Sequence, residues 1–113
     1  MTFTIAHRGL SARHGENSLD AVAAALGHTH VVEVDVRCTH DAVPVCMHDA
    51  GLWRTHGISS RVGQITHAQL LELAPDVPTL AEVLELIAYR DGAAMLDVKV
   101  SRPRAIEAIE QVV

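Results

Sequence analysis

With 113 residues, nearly half of them hydrophobic, and a net charge of −5, the chain has the size and apolar content of one domain with a real core. Its charges are interspersed, with no basic face for a nucleic-acid partner. No apolar run nears the roughly 18 residues of a membrane span, two cysteines make no disulfide framework, and MTFTIAHRG lacks a charged segment followed by an apolar one, so the expectation is a cytoplasmic protein without stable membrane insertion or signal peptide.

The first predicted element is a short strand from Phe3 to Ala6. Ser18 then caps an Ala-rich helix, LDAVAAALGH, which Gly27 ends. Val31 to Arg37 and Ala42 to Met47 read as strands, the second with Pro44 near its start. Residues 48–64 are loop-like, rich in Gly, Ser and His. Thr66 caps a short helix to Leu73, and Pro78-Thr79 opens another to about Tyr89, with Leu80, Val83, Leu84 and Ile87 on one face. Asp91-Gly92 is a turn, Ala93 to Val100 a strand, and Pro103 begins a last helix. The order β-α-β-β-α-α-β-α predicts an α/β fold with a largely parallel sheet covered by helices.

Two strands carry unusual charge. In VVEVDVR, Val32, Val34 and Val36 point one way, and Glu33, Asp35 and Arg37 the other. Strands of a parallel sheet are usually apolar on both faces, so two acids there would lose hydration and repel unless a cation joined them. Two residues apart, their Cα atoms lie roughly 6.6 Å apart at ~3.3 Å per residue, close enough for both carboxylates to meet one hard metal ion. MLDVKV repeats the pattern, with Asp97 and Lys99 sharing a face. His7 and Arg8 follow the first strand, and His48 and Asp49 the third. Sites of parallel α/β folds form at strand carboxyl ends, so His7, Glu33, Asp35, His48, Asp97 and Lys99 are expected to line one rim.

In chain order the sequence shows HRG at 7–9, EN at 16–17, E-x-D at 33–35, T-x-D at 39–41, HD at 48–49, RTHG at 54–57, PTLAEVL at 78–84 and D-x-K at 97–99. This series resembles the glycerophosphodiester phosphodiesterases, of the phosphatidylinositol-phospholipase-C-like superfamily. The resemblance implies a TIM barrel, of which residues 1–113 would form the N-terminal part with about four strands. It implies a divalent metal, Mg²⁺ or Ca²⁺, on Glu33, Asp35 and Asp97, with Glu16 and Asn17 as metal-side support. His7 and His48 would be the acid–base pair, and Arg8 and Lys99 would hold phosphate oxygens. The reaction implied is hydrolysis of a small-molecule glycerophosphodiester to glycerol 3-phosphate and an alcohol, through the glycerol 2-hydroxyl and a cyclic phosphate.

Elementary chemistry suits this assignment. A phosphodiester is anionic and repels nucleophiles. Carboxylates holding a metal, cations at the phosphate and two imidazoles that titrate near neutrality supply what its cleavage needs. His14, His28, His30, His40, His56 and His67 read as solvated or local hydrogen-bonding residues, as do Glu72, Glu82 and Glu85 on helix faces. Trp53 and Arg54 read as pocket border or loop packing; Cys46 reads as core, and Cys38 has no base to make it a nucleophile.

The chain departs from the family at Gly15, usually Pro; at Ala42, usually Gly; and at Asp97, usually Glu. Asp at that last position is also found in sphingomyelinase-D-like relatives, which makes a phospholipase-D-like lyase forming a cyclic phosphate the second enzyme reading. A (β/α)₈ barrel takes about 250 residues, so four strands are half of one. Three accounts follow: part of a longer enzyme that supplies the C-terminal half-barrel, two copies closing a barrel as a homo-oligomer, or a non-catalytic relative that binds metal or phosphate.

Overall fold

The computed structural model describes the backbone of residues 5–7 and the whole of residues 16–113. The elements are β1 (Ile5–His7), α1 (Leu19–Leu26), β2 (Val31–Cys38), β3 (Pro44–Cys46), α2 (Trp53–His56), a 3₁₀ turn (Val62–Gln64), α3 (His67–Leu73), α4 (Leu80–Tyr89), β4 (Ala93–Val98) and α5 (Pro103–Val112). The expected strand start at Phe3 and Thr4, like His14, lies outside the described residues. Among the described residues no helix is long and apolar enough to cross a membrane.

The long strand β2 organises the sheet. It pairs in parallel with β1, setting His7 opposite Glu33, and in parallel with β4, setting Asp35 opposite Asp97. The alternation read from VVEVDVR appears as two faces: Val32, Val34 and Val36 are fully buried under α1, α4 and α5, where Val22, Leu80, Val83, Ile87 and Ile109 join them. A second apolar cluster of Val45, Met47, Leu52, Val62, Leu70 and Val77 anchors the connection between β3 and α4.

The third strand differs from expectation: β3 runs antiparallel to β2, with Cys46 opposite Val36 and Pro44 opposite Cys38. Only five residues separate the two strands, too few for a parallel crossover, which takes a dozen or more. The T-x-D motif builds the reversal. Thr39 Oγ1 donates to Asp41 Oδ1 at 2.6 Å and accepts from Val43 N at 3.0 Å, and Asp41 Oδ1 also accepts from His67 N at 3.0 Å. Ala42 takes a left-handed φ of 60°, which explains why glycine is usual there; a Cβ in this region costs about 1–2 kcal/mol. The strand is also shorter than expected, because Ala42 and Val43 belong to the turn.

Helix starts follow the capping residues. Ser18 accepts from Ala21 N, while Thr66 with Gln69 and Thr79 with Glu82 form reciprocal capping boxes. Glu82, exposed as sequence placed it, is therefore also a capping partner. Thr79→Ala removes the acceptor for Glu82 N, now at 3.1 Å, and is expected to destabilise the fold by about 1 kcal/mol in urea unfolding. At the far end of α4, Asp91 takes φ 54°, and a Cβ on Gly92 would meet Leu26 Cδ2 at 2.7 Å, so a larger residue there would have to displace that side chain.

Candidate active site

Two clusters form on the polar side of β2. In the first, Glu33, Asp35 and Asp97 bring one carboxylate oxygen each within 4.8 Å of one another. Strand geometry does this directly, because Glu33 and Asp35 are alternate residues of β2 and Asp97 is the cross-strand partner of Asp35. Oxygens on opposite sides of an ion at 2.3–2.6 Å lie roughly 5 Å apart, so oxygens within 4.8 Å of one another can share one divalent ion. An all-oxygen, anionic donor set is also the kind that hard cations prefer. Lys99 Nζ lies 2.7 Å from Asp97 Oδ2 and 3.7 Å from Asp35 Oδ1. Its hydrogen bond holds the Asp97 carboxyl below the usual carboxylate range and in return raises the Lys99 ammonium.

Asp35 is fully buried and so is Asn17, which lies against it. The Asn17 side chain donates to Asp35 Oδ2 at 3.1 Å and accepts from the Asp35 backbone N–H at 3.0 Å. Asn17 adopts φ 58°, a conformation its short polar side chain tolerates better than most. The EN motif thus reaches the strand through a specific pair of bonds, with the loop end pinned to the middle of β2.

The second cluster surrounds His48. The reversal at residues 39–43 returns the chain alongside β2, where Met47 N donates to Asp35 O at 3.1 Å and Arg37 Nε donates to His48 O at 2.8 Å. The expected exit from a parallel strand is therefore replaced by an antiparallel return that brings His48 back to the level of the carboxylates. His48 Nδ1 lies 2.7 Å from Asp49 Oδ1, leaving Nε2 as the other ring nitrogen. Arg54 grips Asp49 with two bonds, Nε to Oδ2 at 2.7 Å and an Nη2 bond to Oδ1 at 2.9 Å, and also pairs with Glu16. The guanidinium, and then His48, hold the Asp49 carboxyl well below the usual carboxylate range.

Glu16, His48, Asp49 and Arg54 line a cavity of about 440 Å³ together with Thr55 and Asp76. Glu16, expected as metal-side support, pairs with Arg54 and lies beside His48 and Asp49. Arg8 and the side chain of His7 lie outside the described residues; the register places His7 beside Glu33. Arg54 belongs in the site and was left ambiguous by sequence. The signal was the short run RTHG, whose helical turn α2 could not be read from so few residues. Cys38 and Cys46 are both buried; burial raises the Cys38 thiol and pushes that of Cys46 up to about 12, which leaves neither as a ready nucleophile.

Comparison with known proteins gives this arrangement a lineage. Residues 7–113 match the glycerophosphoryl diester phosphodiesterase family. The chain belongs to that family. It is 34% identical over 122 residues to human glycerophosphodiester phosphodiesterase 1, covering 95% of this chain and 37% of the human protein. The crystal structure of a glycerophosphodiester phosphodiesterase from Thermotoga maritima superposes with a TM-score of 0.89 at 30% identity, covering 99% of this chain and 50% of that one. A phosphodiesterase from Oleispira antarctica, solved with sn-glycerol-3-phosphate, gives a TM-score of 0.90 at 28% identity and covers 99% of this chain and 51% of that one. The chain thus spans about half the length of these solved relatives, and its α/β architecture is that of half a TIM barrel.

Proposed function

We propose that this chain carries the metal-binding and proton-transfer side of a divalent-metal-dependent glycerophosphodiester phosphodiesterase, releasing glycerol 3-phosphate and an alcohol. The observation that carries the reading is the meeting, on one face of β2, of three carboxylates with a lysine beside them and a histidine backed by a carboxylate. Family membership and the glycerol 3-phosphate bound to the Oleispira phosphodiesterase support the substrate class.

In this proposal Glu33, Asp35 and Asp97 hold Mg²⁺ or Ca²⁺, which when bound would polarise a phosphoryl oxygen and sharpen a hydroxyl nucleophile. Asn17 fixes the Asp35 carboxylate through its two bonds, so a ligand is held in place before the ion arrives. Lys99 supplies positive charge beside the carboxylates for a phosphate oxygen, with Arg8 as the expected second clamp. Asp49 holds His48 Nδ1, so that Nε2 can pass a proton to or from the substrate. His7 is proposed as the opposite member of that pair. A proton taken from the nucleophilic hydroxyl by one imidazole is matched by a proton given to the leaving alkoxide by the other.

The test is release of glycerol 3-phosphate from glycerophosphocholine and glycerophosphoethanolamine, with Mg²⁺, Ca²⁺ or a chelator. Metal-dependent release that chelation removes is the expected result. A chain that binds metal without turnover would support the binding-protein reading, and an accumulating cyclic phosphate would support the lyase reading.

A further inference from the structure

We propose that Arg54 is a positioning residue for His48, acting through Asp49. The kinetic part of this assignment rests on the phosphodiesterase reading; the structural part does not. Arg54 closes a chain of contacts that starts at the histidine. His48 Nδ1 meets Asp49 Oδ1 at 2.7 Å, and both Asp49 oxygens receive bonds from the Arg54 guanidinium, at 2.7 and 2.9 Å. A carboxylate held at both oxygens by a planar guanidinium loses its freedom to rotate. Its orientation then dictates which ring nitrogen of the adjacent imidazole carries the proton. Arg54 also pairs with Glu16, next to the Asn17 that braces Asp35. One side chain thus links the support of both clusters.

The donor atoms of Glu16, His48 and Asp49 lie within 4.8 Å of one another, a spacing that would also suit a cation. The guanidinium of Arg54 already supplies that positive charge, and this is why the group reads as orienting machinery. The element carrying Arg54 is itself anchored. The single turn α2 ends at Gly57 with φ 67°, and His56 Nε2 lies 2.8 Å from Asp76 Oδ1, tying α2 to the segment before α4. The clasp holds the base of Arg54 while the tip grips Asp49.

The test compares Arg54→Ala, Arg54→Lys, Asp49→Asn and the Arg54→Ala/Asp49→Asn double variant by two readouts. Imidazole ¹⁵N NMR of the substrate-free protein reports the tautomer of neutral His48, and glycerol 3-phosphate release reports turnover. The proposal expects a single Nδ1–H tautomer in the parent and a mixture in Arg54→Ala. It expects a kcat loss of about 10–100-fold with KM within about twofold, partly restored by lysine, which cannot grip both oxygens. In the Asp49→Asn background, Arg54→Ala should cost less than about threefold more, since the route it acts through is already cut. An equal loss in both backgrounds, or an unchanged tautomer with raised KM, would overturn the proposal and place Arg54 directly on the substrate. Should Arg54→Ala fail to fold by circular dichroism, the tautomer and the kcat-against-KM split of Arg54→Lys decide in the same way. If the parent shows no turnover, the phosphodiesterase reading fails while the tautomer comparison still decides this one.

Discussion

Asp35→Asn is expected to weaken divalent-metal binding by at least about 100-fold, the largest single effect at the carboxylate cluster. Asp35 stands at its centre, two residues from Glu33 along β2 and directly across from Asp97 on β4. The substitution keeps the shape and one oxygen, so the loss measures charge and donor count rather than packing. It also turns an acceptor into a donor beside two donors, Asn17 Nδ2 at 3.1 Å and Lys99 Nζ at 3.7 Å. One of those contacts must become donor against donor. Asp35 is fully buried, so the conflict cannot be relieved by turning into water, and an accompanying stability loss of about 1–3 kcal/mol is expected. Isothermal titration with Mg²⁺ and Ca²⁺ measures the first effect, and urea unfolding in chelator measures the second without the ion's contribution. Titration curves unchanged by the substitution would move the ion away from these three carboxylates.

Much of this cluster is legible in the sequence. Period-two alternation in VVEVDVR placed Glu33 and Asp35 on one face and the valines on the other, and the structure shows both faces. Asp97 and Lys99 were legible for the same reason, and the parallel register of β2 and β4 sets Asp97 opposite Asp35. Helix starts were equally plain at Ser18, Thr66 and Thr79, because an N-cap acts within three residues of itself. What sequence did not resolve depends on turn geometry and on contacts between distant segments. The direction of β3 is decided by a reversal of five residues whose left-handed Ala42 has no apolar pattern to announce it. The contact of Glu16 with Arg54 is not legible either, because Arg54 lies 38 residues away on a single helical turn. Asn17 was placed near the metal by resemblance, yet its two bonds to Asp35 join residues 18 apart in the chain, which no local pattern encodes.

His48→Ala, in an active form of the enzyme, is expected to lower kcat by about 10²–10⁴-fold, the range that one well-placed proton carrier contributes. The fold should survive, because about a third of the His48 side chain faces solvent, and the bonds that seat the segment, from Met47 N to Asp35 and from Arg37 to the His48 carbonyl, use the backbone of residues 47 and 48. The substitution leaves Asp49 in the grip of Arg54, with its Oδ1 no longer facing an imidazole. That residual site makes a sharper test than the rate alone. A free imidazole entering the cavity of about 440 Å³ would find the same carboxylate acceptor, still oriented, and should restore part of the lost turnover in proportion to its concentration. In His48→Ala/Asp49→Asn the oriented charged acceptor is gone, and rescue should fall away. Rescue that tracks the presence of Asp49 would separate the loss of a proton carrier from the loss of structure. An unchanged rate in His48→Ala would remove this histidine from the mechanism and leave the proton chemistry to His7 and the metal side of the site.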